Sequence, residues 1–176
     1  MHTQKVNTAT NESAEQFNPQ FTEGCRVEHP ERKLRIVPFL FCSPVGDTLA
    51  ADWLRRSSDY DSGNWDYFLI PKGVQGKIAP HTIITTQVNT GFIAPSGHQL
   101  YRMDIPENYF RAEVSAQAAG IIATLMVMNA LSWKISEMGP AYSGLCEGLI
   151  ARQDALKDYI SIIKHPERHL IWRAID

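Results

Sequence analysis

The sequence predicts an α+β fold: a single compact domain in which a small antiparallel sheet packs against a buried central helix and outer helices. Segments of strand length, separated by Gly, Pro and Asn, crowd the stretch from residue 64 to 114, and helix-period segments take over from residue 115. The run AAGIIATLMVMNAL, beginning at Ala118, is apolar nearly all round, so it belongs in the domain centre rather than on its surface. At 176 residues the chain suits one domain, able to bury about 70% of the surface its unfolded form exposes.

Residues 1–24 are rich in Thr, Asn, Glu and Gln and are expected to form a disordered polar head, leaving 25–176 as the domain. The run RIVPFLFC, Arg35 to Cys42, contains Pro38 and predicts an edge strand or an extended segment entering the core. A helix follows, with Asp47 as N-cap, Leu49, Trp53 and Leu54 on one face, and Arg55 and Arg56 at its negative end. Ser62-Gly63 breaks the chain before a strand, Asn64 to Ile70, in which Trp65, Tyr67 and Leu69 alternate with Asp66, Phe68 and Ile70. Asp66 is expected to point into solvent.

Pro71-Lys72-Gly73 ends that strand, and residues 74–90 predict a loop with one β segment, Thr82 to Val88. GFIAP from Gly91, HQLYRMDI from His98 and NYFRAEV from Asn108 are further strands, and their short spacings predict an antiparallel meander. Ser115 caps a long helix that Gly139-Pro140 stops, because glycine accepts the left-handed conformation and proline cannot continue the ladder. Leu145, Leu149, Leu156, Ile160 and Ile163 form the stripe of an outer helix, and Pro166 opens a last short one ending in IWRAID.

Composition removes several function classes. The 17 Lys and Arg against 19 Asp and Glu leave a net charge of −2, and the head, with Lys5 against Glu12, Glu15 and Glu23, accounts for it. The rest is neutral, which suits neither a dedicated nucleic-acid binder nor a protein that imitates the phosphate array of DNA. Cys25, Cys42 and Cys146 include no CxxC pair, so no disulfide framework or metal ribbon is expected and a reduced cytoplasm is the natural setting. The opening MHTQKVNTATNESAEQ lacks an apolar core flanked by positive charge, so no signal or transit peptide is expected.

Asp59 to Asn64 superficially resembles a calcium loop, but Gly63 holds the fifth place, Asn64 the sixth and Ile70 the twelfth, where glutamate is required. Asp59 and Asp61 then serve as turn residues. His165 and His169 have zinc spacing, yet Pro166 stands where the zincin glutamate should be; a capping His165 and a surface His169 are expected instead. No G-x-S-x-G elbow or phosphate-binding glycine loop is present, and Glu31-Arg32-Lys33 lacks the preceding aspartate of a metal nuclease. Neither metal nor cofactor is expected, nor catalysis. Trp53, Trp65 and Trp133 are expected in the core, while Tyr67, Tyr101 and Tyr109 leave a partly exposed aromatic sheet face.

Four blocks in one order carry more than any single motif. GNWDYFLI, GFIAPSG, VSAQAAGIIATLMVMNAL and IWRAID resemble the KlcA/ArdB family of antirestriction proteins over roughly residues 35 to 176. The resemblance implies a compact α+β domain in a small cytoplasmic protein of plasmids or other mobile elements. Its implied function is to protect incoming DNA by inhibiting type I restriction-modification enzymes. Residues 74–90 look like an insertion relative to that family. The neutral charge points away from DNA imitation, toward contact with a type I restriction-modification enzyme or a host factor controlling it. The matching blocks and expected exposure nominate Asp59, Asp61, Trp65, Asp66, Tyr67, Glu113 and Asp176 as the partner-binding surface. The alternative is a DNA-associated accessory module using Arg26, Arg32, Lys33 and Arg35 as a basic patch, although Glu28 and Glu31 interrupt it.

Overall fold

The computed structural model describes residues 19–176, and most of the polar head lies outside them. Its last part is folded: α1, Pro19–Gly24, places Thr22 at 2% exposure with its hydroxyl 3.0 Å from that of Tyr159. The head is therefore shorter than residues 1–24. The expected edge strand at RIVPFLFC is part of a helix, α2, Pro30–Phe41. Pro30 suits the first turn, and Ile36, Val37, Leu40 and Phe41 are buried at i, i+1, i+4 and i+5, the helical period. Pro38 is tolerated because it is exposed, as is Leu34, whose carbonyl lacks its donor and can turn to water.

Helix α3 spans Gly46–Ser57, one residue before the expected cap; Asp47 lies inside the first turn and its Oδ1 accepts from the Thr48 N–H at 2.9 Å. The strands are β1 (Trp65–Ile70), β2 (Gln75–Ala79), β3 (Thr82–Thr85), β4 (Thr90–Pro95), β5 (Leu100–Ile105) and β6 (Phe110–Ser115). They form three two-stranded antiparallel ladders, β1 with β4, β2 with β3 and β5 with β6, instead of one meander. Residues 74–90 thus hold a β-hairpin between two strands that pair with each other, where a loop with one β segment was expected. Gly76 and Lys77 blur the hairpin's alternation, and its packing comes from α5, whose Ile162 lies against Gly76.

Helix α4, Ala116–Ser136, is the centre of the core, with the Ser115 hydroxyl accepting from the Ala118 N–H at 3.1 Å. By length and composition α4 could cross a membrane, but 67% of its apolar window is buried inside the domain. Its buried side meets β4, whose six residues are all buried. There Thr124 bonds the Ile93 N–H at 3.2 Å, and a side chain at Gly120 would run into the Ile93 carbonyl and Ala94. The last turns of α4 leave the core, so Trp133 is 67% exposed and not a core residue. Helices α5 (Ser143–Ile162) and α6 (Arg168–Ile175) complete the fold. Leu149, Leu156 and Ile160 are buried as expected, whereas Leu145 is exposed.

The junction between β6, α4 and α6 is a small polar network. Glu167 accepts from the Ser115 N–H at 2.9 Å and hydroxyl at 2.5 Å, and buried His165 sits 2.9 Å from Gln117 Oε1. His165 Nδ1 also accepts the Glu167 N–H at 3.1 Å. Burial lowers the His165 pKa to about 4, against the attraction of Glu167. Because the unfolded imidazole titrates near 6.5, the unfolded chain binds more protons between those values, so stability falls as pH drops through that window. Up to about 3 kcal/mol is expected to be lost between pH 7 and 4. Urea unfolding across that range measures it, and His165→Asn should remove this component of the slope.

Candidate functional site

Residues 25–27 run beside β1: the Val27 N–H donates to the Tyr67 carbonyl at 2.8 Å and the Leu69 N–H to the Cys25 carbonyl at 2.9 Å. This pairing sets Arg26 over the Phe68 ring, 5.1 Å from its centroid, and against Asp66 at 2.6 Å. Arg26 also grips Glu23 with two bonds of 3.0 Å, which together hold the Glu23 carboxyl below its usual range. Ser96 donates to the other Asp66 oxygen at 2.8 Å. Asp66 therefore does not simply face water as expected: both carboxylate oxygens have partners and its side chain is 26% exposed. The same contacts remove Arg26 from the expected basic patch.

Asp59 is anchored differently. Its Oδ1 accepts the Arg102 N–H at 2.9 Å, its N–H donates to the Arg102 carbonyl at 3.1 Å, and Oδ2 lies 3.5 Å from Arg102 Nε. It extends the β5 edge, beyond the local turn amides expected of it. Across the ladder Arg102 is in register with Glu113 and Asp104 with Arg111, the latter ion-paired at 2.7 Å. The exposed face of β5–β6 thus sets Asp59, Asp104 and Glu113 among Arg102 and Arg111. Alternation in HQLYRMDI, with Tyr101, Met103 and Ile105 inward, was the signal for Arg102 and Asp104; their partners were not readable.

Aromatic packing joins the two ladders. Tyr60, 4% exposed, has its ring 5.9 Å from Trp65 and 5.8 Å from Tyr101. Trp65 is half-buried, packed against the core and not fully inside it, Tyr101 is buried at 4%, and Tyr109 is 93% exposed. Burial, then the neighbouring Asp47 charge, raises the pKa of half-buried Tyr67. Asp61 is exposed, and its carbonyl accepts Arg55 Nε at 2.7 Å. Glu113 and Asp176 are also exposed; Asp176 follows α6, which the Asn108 side chain ties to the β5–β6 turn through the Ala174 carbonyl at 2.7 Å. Among the described residues Asp61, Glu113 and Asp176 make no ion pair.

The nominated residues therefore split. Asp59 and Glu113 share the β5–β6 face, Trp65 connects to it through Tyr60, and Asp66 belongs to the Arg26 cluster. No group of three or more His, Cys, Asp or Glu side chains fit to hold a metal occurs among the described residues. Helix α6 starts at Arg168, so His165 lies outside it and the two imidazoles do not occupy one helical face.

A family model described as "Antirestriction protein" matches residues 58–176, more than half of the chain. The chain belongs to the KlcA/ArdB antirestriction family. It is 32% identical over 133 residues to an antirestriction protein KlcA of Escherichia coli, covering 74% of this chain and 77% of that one. A second E. coli KlcA is 30% identical over 158 residues, covering 86% and 91%. The fold matches a solved structure of the KlcA and ArdB proteins at a TM-score of 0.61 and 26% identity, over 85% of this chain and 92% of the other. Those proteins are described as having a novel fold and antirestriction activity against type I DNA restriction systems in vivo but not in vitro.

The antirestriction match begins at Ser58 and so contains every nominated residue, from Asp59 to Asp176. Arg26 and Glu23 lie outside it. The neutralising partner of Asp66 thus comes from a segment that the family model does not span, whereas Arg102 and Arg111, which neutralise Asp59 and Asp104, lie within it.

Proposed function

We propose that this antirestriction protein inhibits type I restriction-modification by contacting a protein, non-enzymatically and without imitating DNA. The observation that carries this reading is the pairing of carboxylates: Asp66 with Arg26, Asp59 with Arg102 and Asp104 with Arg111. A DNA mimic must present unneutralised negative charge at nearly phosphate density, because its competition with DNA depends on the same counterion chemistry. Alternating opposite charges instead set register and reject wrong partners at a protein interface. The KlcA and ArdB proteins act in vivo but not in vitro, which supports a requirement for a component of the cell.

The working surface comprises Asp59, Asp61, Trp65, Asp66, Tyr67 and Glu113, with Asp176 at its margin, and its setting is the cytoplasm. Asp61 and Glu113 carry its free carboxylates, so they are the first to test. In a phage-plating assay with and without a type I system, Asp61→Ala with Glu113→Ala is expected to lower protection about tenfold or more while circular dichroism stays unchanged. Unchanged protection would remove both residues from the surface. Stoichiometric, salt-sensitive competition between the pure protein and duplex DNA for a type I enzyme would overturn the mode itself.

A further inference from the structure

A second surface lies away from these carboxylates, where α2 crosses the end of the β1–β4 ladder. A groove of about 470 Å³ opens there, lined by Arg32, Phe39, Leu69, Ile70, Pro71 and Asn89 among others. That volume is in the range that admits a ligand or an anchoring side chain. Its floor is apolar, and Phe39 is 37% exposed on it. The Arg152 guanidinium stands 5.4 Å from the Phe39 ring centroid and is itself fixed by the Leu40 carbonyl at 3.2 Å and Cys42 Sγ at 3.0 Å. Asn89 accepts the Lys72 N–H through Oδ1 at 2.8 Å, which leaves its amide group to donate.

The cations near this groove are unpaired, as are Arg56, Lys77 and Lys134 elsewhere among the described residues. Arg26, Arg55, Arg102 and Arg111 each face a carboxylate within 4.0 Å. Arg32, Arg35 and Lys72 are exposed and make no ion pair among the described residues. In α2 the positions of Arg32, Arg35 and Phe39 differ by three and four residues, so they share one helical flank. Lys72 follows β1 on the groove's other side. Arg32 is thus the charged residue of the lining, which holds no acidic side chain, and the unpaired Arg35 and Lys72 flank it one helical turn along α2 and one residue beyond Pro71.

We propose that this groove docks an acidic protein segment, seating one aromatic or large apolar side chain on Phe39 and setting its carboxylates against Arg32, Arg35 and Lys72. Nucleic acid fits less well. A duplex, whose bases are stacked inside it, has nothing to place on Phe39, Leu69 and Pro71, Glu28 and Glu31 stand near the cations in sequence, and Arg26 is already held by Glu23 and Asp66. The proposal goes beyond the antirestriction reading and does not depend on it.

The full chain is titrated, by fluorescence anisotropy at low salt, against a labelled peptide of Asp and Glu around one central Phe. Saturable binding is expected. It should weaken about tenfold or more in the Arg32→Glu, Arg35→Glu double variant, and likewise when the peptide's Phe is replaced by Ser. Both arginines are exposed, so the double variant is expected to fold, which circular dichroism checks. Phage protection by the same variant is measured separately, so failure of the docking site is distinguishable from failure of the antirestriction surface. Absence of saturable binding, equal affinity in the double variant, indifference to the peptide's Phe, or tighter binding of a duplex DNA of equal charge would each overturn the proposal.

Discussion

Gly120→Val is expected to destabilise the protein by about 4 kcal/mol or more, enough to unfold a domain at the low end of ordinary stability. Two opposing effects decide the size. Alanine or any ordinary residue in a helix interior gains up to about 1 kcal/mol over glycine in propensity. Against that, a Cβ at position 120 would meet the Ile93 carbonyl oxygen and the Ala94 Cα, backbone atoms of β4 that cannot rotate aside. The helix would have to move off the strand, breaking the contact in which Thr124 binds the backbone of Ile93. Overpacking of this kind commonly costs about 1–3 kcal/mol even where side chains can yield. Gly120→Ala should therefore also destabilise, though less, with the urea midpoint shifted and the slope of unfolding kept. A midpoint for Gly120→Ala equal to or above that of the parent protein would show that α4 and β4 are not so close.

Phe68→Ala is expected to lose about 3–5 kcal/mol, the usual cost of removing a buried phenyl ring and leaving its cavity. Phe68 is 2% exposed, and its ring stacks on Phe92 at 4.4 Å and 12° across the β1–β4 ladder. Its other consequence concerns the surface. The ring supports the Arg26 guanidinium at 5.1 Å, so its removal also loosens the group that neutralises Asp66. A double-mutant cycle with Phe92→Ala should return a coupling of about 0.5–1.5 kcal/mol from the ring pair. Additive losses in chemical denaturation would mean that the rings only fill volume.

Period was the readable part of the chain. Ser115 as cap, the all-round apolar face of α4 and the glycine at 139, with φ of 101°, each followed from local chemistry that tertiary structure did not need to revise. RIVPFLFC misled because proline is unfavourable in both a helix interior and a central strand, and an exposed helical flank admits it only once burial of Ile36, Val37, Leu40 and Phe41 is known. The hairpin at β2–β3 was obscured because Gln75-Gly76-Lys77 has weak strand propensity and its support comes from α5, far along the chain. Trp133 follows the same logic. Helical period assigns a tryptophan to the core, but only the length of the neighbouring elements fixes where the core stops.

The candidate surface divides along the same line. Composition alone established a folded part close to neutral, with Glu23 of α1 leaving it one net negative charge, and block order alone identified the antirestriction family, since both are properties of a linear string. Whether Asp66 meets solvent or an arginine depends on residues 25–27 lying beside β1, and whether Asp59 closes a turn or extends β5 depends on its bonds to Arg102. Ion pairing falls off over a few ångströms, while the sequence records only order along the chain, so only the fold decided which carboxylates are neutralised and which remain free.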